Sequence, residues 1–103
     1  MFQGDETRLG QVMVTTESPS VLRPLLRIAI QNEAKSLTHG IKRTRARLLA
    51  FEKQFGMTSE EFERRYTAAE IDESLESIEW LGEIKMLRVL SEQKLALDGA
   101  RVK

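Results

Sequence analysis

The stretch Phe51-Glu-Lys-Gln-Phe-Gly-Met-Thr-Ser-Glu-Glu-Phe-Glu-Arg-Arg-Tyr66 decides how this chain folds. It holds a helix stop and a helix start in immediate succession. Gly56 can take the left-handed backbone with which helices commonly end. Two residues on, Thr58 opens Thr-Ser-Glu-Glu, a capping box in which Glu61 stands three residues after the hydroxyl. Glu60 and Glu61 also suit the positive end of a helix dipole. Four of the six aromatic residues, Phe51, Phe55, Phe62 and Tyr66, fall inside this stretch, and the other two are Phe2 and Trp80. The segment therefore reads as an elbow between helices, closed by an aromatic plug.

Upstream of the elbow, Ile30, Ala34, Leu37, Ile41, Thr44, Leu48, Phe51 and Phe55 follow one another at alternating steps of 4 and 3. A seam of that kind, sustained over more than three heptads, predicts a helix packed lengthwise against another helix. Ser20 is the expected N-cap, with Pro24 near the first turn, and the helix is expected over about 20–55, some 50 Å at ~1.5 Å per residue. Gly40, beside His39, is a point of bending or of close approach.

Downstream, a short helix is expected over about 59–68, with Phe62 and Tyr66 on one face. The acidic run that follows reads as a connector into a third helix over about 74–97, which Asp98-Gly99 ends. Its apolar residues divide between two sides: Trp80, Leu81, Ile84, Leu87 and Leu95 on one, Ile78, Met86, Val89, Leu90 and Leu97 on the other. A helix apolar on two faces is usually buried on two faces. One antiparallel neighbour covers only one of them, so a second copy or another protein is implied. The first nineteen residues, with Gly4, Gly10 and Pro19, read as a flexible tail. Within it, residues 11–16 suit one short strand that would pair with another chain or stay disordered. Residues 98–103 form a polar tail.

The expected fold class is all-α: a long helix, a short capped helix and a third helix returning antiparallel, a helical hairpin paired into a bundle. A chain of 103 residues with 41% hydrophobic and 31% charged residues has room for one core and is too apolar to be disordered throughout. No apolar run approaches the roughly 18–20 residues of a membrane span, and the polar N-terminus is not a signal peptide. The chain has no cysteine, which excludes disulfides and thiolate zinc sites and accords with a cytoplasmic setting. The net charge is zero, yet Met1–Met57 carries nine basic and five acidic residues while Thr58–Lys103 carries seven and eleven. The halves are electrostatic complements, suited to folding on each other or to antiparallel pairing between chains.

Chemistry-bearing patterns are sparse. Lys42, Arg43, Arg45 and Arg47 form the densest basic cluster and could meet phosphates, but helical geometry spreads them around the axis and no aromatic is interleaved. Nucleic-acid binding is thus the alternative reading and a solvated or internally paired face the favoured one. His39 is the sole histidine and lacks the partners that catalysis or metal binding needs. The carboxylates from Glu70 to Glu83 lack the spacing and turn glycine of a calcium loop. No catalytic residue, cofactor or metal site is expected. Trp80 and Gly82, in Ile-Glu-Trp-Leu-Gly-Glu, fit either a binding hot spot or the centre of a small core.

These same residues carry a resemblance. The elbow, together with Glu-Ser-Ile-Glu-Trp-Leu-Gly-Glu-Ile-Lys-Met-Leu-Arg-Val-Leu (76–90), resembles small helical antitoxin-like proteins encoded beside TumE-like toxins. Those read approximately FEKKYGMSSEEFxxRF…DxxEWxGExxxLxxL. The resemblance spans about Ile41 to Leu97, with Phe51, Gly56, Met57, Ser59, Glu60, Glu61, Phe62 and Arg65 as its core. Where the pattern has Gly-Glu in the connector, this chain has Ala69-Glu70. The resemblance implies a non-catalytic module, the antitoxin of a toxin–antitoxin pair, that occludes a cognate toxin. The expected contact residues are Trp80, Ile84, Leu87, Phe62 and Tyr66. A homodimer is the expected assembly, and a structural coiled-coil adaptor is a further alternative.

Overall fold

A computed structural model of the chain describes the backbone of residues 5–9 and 12–100, and side chains from residue 17 to residue 100. The order of elements is β1 (Asp5–Leu9), β2 (Val12–Thr16), α1 (Pro19–Phe55), α2 (Ser59–Thr67) and α3 (Leu75–Asp98). Within residues 39–91, α1 and α3 form a hairpin with the short α2 at the elbow between them. Two compact units are distinguished, one of residues 39–91 and one of residues up to Thr38 with those from Glu92 onward.

In the second of these units, β1 and β2 pair antiparallel, from Asp5 opposite Thr16 to Leu9 opposite Val12. The strand expected at 11–16 therefore finds its partner immediately upstream in its own chain, rather than on another molecule. The expected tails also include residues 1–4, 10, 11 and 101–103, which lie outside the described residues. Helix α1 starts earlier than expected. Pro19 takes the first helical position, where its missing N–H costs nothing, and the Ser18 carbonyl accepts from Val21 N and Leu22 N at 3.1 and 3.0 Å. Proline at the first position outweighed Ser20 as the start signal, and Pro24 stands inside the helix.

The unit of residues 39–91 holds the core. Along α1 the buried residues Gly40, Thr44 and Leu48 and the half-buried Ile41 and Phe51 follow the seam. The matching seam of α3 runs Ser77, Trp80, Ile84, Leu87, again at steps of 3 and 4, as knobs-into-holes contact between two helices requires. Gly40 lets α3 come close: a Cβ there would stand 3.3 Å from Leu90 Cδ1. Leu90, expected on the outer side of α3, thus packs inward beside α1, whereas Leu95, expected on the inner side, is exposed.

The elbow forms at Gly56 and Thr58 as the sequence reading expects, but its capping box is only half made. Gly56 has φ +66°, in the left-handed region. Thr58 Oγ1 accepts from Glu61 N at 3.1 Å and caps α2. The Glu61 carboxylate does not reach back to complete a capping box; it receives Arg64 and Arg65 instead. A residue of α1 serves the α2 terminus: Glu52 Oε2 accepts from Ser59 N at 2.7 Å. At its far end α2 closes in a Schellman arrangement, Glu70 N donating to Arg65 O and Ala69 N to Tyr66 O. Ala69 takes the position that glycine normally fills, at φ 57°. The connector then turns into α3 through a reciprocal serine pair. Ser77 N donates to Ser74 Oγ at 3.1 Å and Ser74 N to Ser77 Oγ at 2.7 Å, which caps α3 at both positions.

Candidate functional site

Trp80 is the centre of the core. It is 2% exposed and stacks with Phe62 at 4.0 Å between ring centroids, with Phe51 at 5.5 Å and with Phe55 at 5.6 Å. Phe62, also 2% exposed, meets Tyr66 in a tilted contact at 5.8 Å. The aromatic plug expected from four residues thus forms around a fifth. Burying an indole requires a partner for its N–H, and here Trp80 Nε1 donates to Ser59 Oγ at 3.0 Å inside the core. One α2 residue, Ser59, therefore joins the first helix to the third: its N–H is held by Glu52 and its hydroxyl accepts from Trp80.

This placement bears on the expected contact residues. Trp80, Phe62 and Ile84 are buried, so none of the three is offered to a partner by the folded chain. Leu87 and Tyr66 are half-buried against the same core. Tyr66 also donates its hydroxyl to Glu73 Oε1 at 3.0 Å, and this bond holds its phenol above the usual range. The five residues gather in one place, and that place is the interior.

The unpartnered surface lies on the opposite side of α3. Leu75, Ile78, Met86 and Val89 are 70%, 52%, 49% and 48% exposed. With Gly82 they form a stripe at steps of 3, 4, 4 and 3, one face of a helix. Nothing stands within 4 Å of where a Gly82 side chain would begin, so the backbone is open there. Beside the stripe runs a groove between α1 and α3, lined by Ala50, Phe51, Gln54, Gly82 and Met86 and crossed by the ion pair of Arg47 Nη1 with Glu83 Oε1 at 3.2 Å. Two of its three charged side chains, Arg47 and Glu83, are engaged with each other; the third, Glu79, lines a trough that is otherwise mostly apolar. A smaller hollow of about 130 Å³ lies under the connector, between Met57, Phe62, Ile71 and Trp80. That volume is below the several hundred Å³ of ordinary small-molecule pockets.

The basic cluster divides. Arg47 pairs with Glu83, while Lys42, Arg43 and Arg45 are exposed and form no ion pair among the described residues. Arg47 lines the groove, and Arg45 lies on the other flank of the seam beside Leu48 and Leu49. The complementary halves of the chain meet through Arg47 and Glu83; the bidentate pair of Arg88 with Glu63 joins α3 to α2. Among the described residues, no three His, Asp or Glu side chains are gathered to hold a metal ion, and no helix is long and apolar enough to cross a membrane. Comparison with protein families, with curated proteins and with solved structures finds no match.

Proposed function

We propose that this chain is a non-catalytic protein-binding module of the cytoplasm, the antitoxin half of a toxin–antitoxin pair, which works by covering the working surface of its toxin. The observation that carries this reading is the outer face of α3. Leu75, Ile78, Met86 and Val89 stand about half exposed or more in one stripe, although the core behind them is already filled by Trp80 and its aromatic neighbours. Surface apolar residues scattered singly need no explanation, but a contiguous row beside an apolar trough is the form an interaction surface takes. The resemblance of residues 41–97 to antitoxin-like proteins supplies the class of partner. Co-expression with the product of the adjacent gene, followed by affinity capture, tests the proposal: a stable complex and relief of growth arrest are expected. Capture of no partner together with unrelieved toxicity would reject it.

A second reading rests on Lys42, Arg43 and Arg45, three cations with no intrachain carboxylate partner among the described residues. It predicts salt-sensitive binding to DNA or RNA, weakened by charge reversal at those positions. Flat anisotropy titrations at low salt would dismiss it.

A further inference from the structure

The outer stripe of α3 reads the same in both directions. Taking Gly82 as origin, Ile78 and Met86 lie four residues to either side, and Leu75 and Val89 seven. The charges along the helix reverse close by, between Glu83 and Lys85. Glu76, Glu79 and Glu83 accompany the stretch from Leu75 to Glu83, and Lys85 and Arg88 accompany the stretch from Ile84 to Leu90. Of these, Glu76, Glu79 and Lys85 are exposed and form no ion pair among the described residues.

We infer that the occupant of this face in the isolated protein is a second copy of the chain, its α3 antiparallel to the first, with the two-fold axis passing by Gly82. An isologous interface requires a patch that complements itself, each residue i meeting j while j meets i. The palindromic stripe meets that condition: Ile78 lies against Met86 of the second copy and Leu75 against its Val89. The glycines fall opposite each other at the axis, where the open space above Gly82 lets the backbones approach. Charge fixes the direction. Antiparallel pairing sets Glu79 of each α3 along Lys85 of the other and opposes the helix dipoles, whereas parallel pairing sets Glu79 on Glu79 and Lys85 on Lys85. The inference rests on the outer face being a docking surface and does not depend on the toxin.

The chain has no cysteine, so single introduced thiols report the pairing without ambiguity. Sedimentation of the purified full chain is expected to give a dimer at micromolar concentration. Under mild oxidation, Leu75→Cys mixed with Val89→Cys is expected to give a crossed disulfide, while neither variant alone links to itself appreciably. Met86→Glu is expected to weaken association at least tenfold, with helicity by circular dichroism unchanged. A monomer at all concentrations overturns the inference, as does self-linking of Val89→Cys in preference to the crossed product. A monomer that still captures a toxin leaves the functional proposal standing and assigns the face to that partner. A crossed dimer that relieves no toxicity does the reverse.

Discussion

The two faces of α3 are almost equally apolar in sequence, yet one is an interior and the other a surface. The inner face presents Ser77, Trp80, Ile84 and Leu87, and its defining members are the polar ones. Ser77 is buried because it caps the helix it belongs to, and Trp80 is buried because Ser59 receives its N–H. The outer face offers Leu75, Ile78, Met86 and Val89 with nothing polar to anchor them and glycine in the middle. Hydrophobicity alone does not select a core face. The side that matches α1 at steps of 3 and 4, and that gives each buried polar group a partner, is the side that packs.

Mutations that treat the faces alike should expose the difference. The largest effect is expected from Trp80→Ala, which empties the centre of the aromatic stack and should cost about 3–5 kcal/mol in chemical denaturation. Met86→Ala on the outer face should change the stability of the monomer by less than about 0.5 kcal/mol. Equal losses at the two positions would erase the distinction. Next is Ser59→Ala, which strands a buried indole N–H and should cost about 1–3 kcal/mol, read in the same experiment. Ser74→Ala removes the cap on which the inner face begins and should cost about 1 kcal/mol.

A stabilising change is expected at the C-terminus of α2. Ala69 holds a left-handed backbone that strains an L side chain, so Ala69→Gly should raise stability by about 0.5–1 kcal/mol, after allowance for the added freedom of glycine in the unfolded chain.

The smallest effect concerns pH. The Arg64 guanidinium, with Arg65 beside it, draws the Glu61 carboxyl down from 4.5 to about 2, and Arg88 likewise lowers Glu63. A carboxyl with a depressed folded pKa stabilises the fold above its unfolded value, and that contribution fades as pH falls from about 4.5 toward 2. Melting temperature should therefore drop on acidification through that window, and less so in Glu61→Gln; with the Glu61 side chain 35% exposed and screened by solvent, the drop should be small.

Much of this was legible in the sequence, and for a consistent reason. The elbow at Gly56 and Thr58, and the seam of α1, are local signals in which residues three or four apart decide the outcome. Contacts between distant residues were harder to read. Trp80 as the hub of Phe51, Phe55 and Phe62 joins three helices, and nothing near it in sequence announces the Ser59 hydroxyl. That Trp80 and Ile84 lie on the packed face was not legible, because two apolar faces of one helix look equivalent until a seam is matched. The series Ser77, Trp80, Ile84, Leu87 carried that match, hidden by a serine at its first position. Ser74 with Ser77 was missed as a cap because the second serine stands where glutamate or glutamine is usual. Ala69 shows the opposite case, a backbone conformation kept without the residue that ordinarily marks it.

The hydrogen bond from Trp80 to Ser59 also gives the chain a built-in optical gauge. The only tryptophan, enclosed by three aromatic rings and one hydroxyl, should emit at short wavelength while α2 is seated, and its emission should move to the red when α2 lifts away. Because Trp80 faces inward, events on the outer face of α3 should leave that signal unchanged. Emission colour thus follows the elbow and molecular mass follows the surface, two readings from one unlabelled protein.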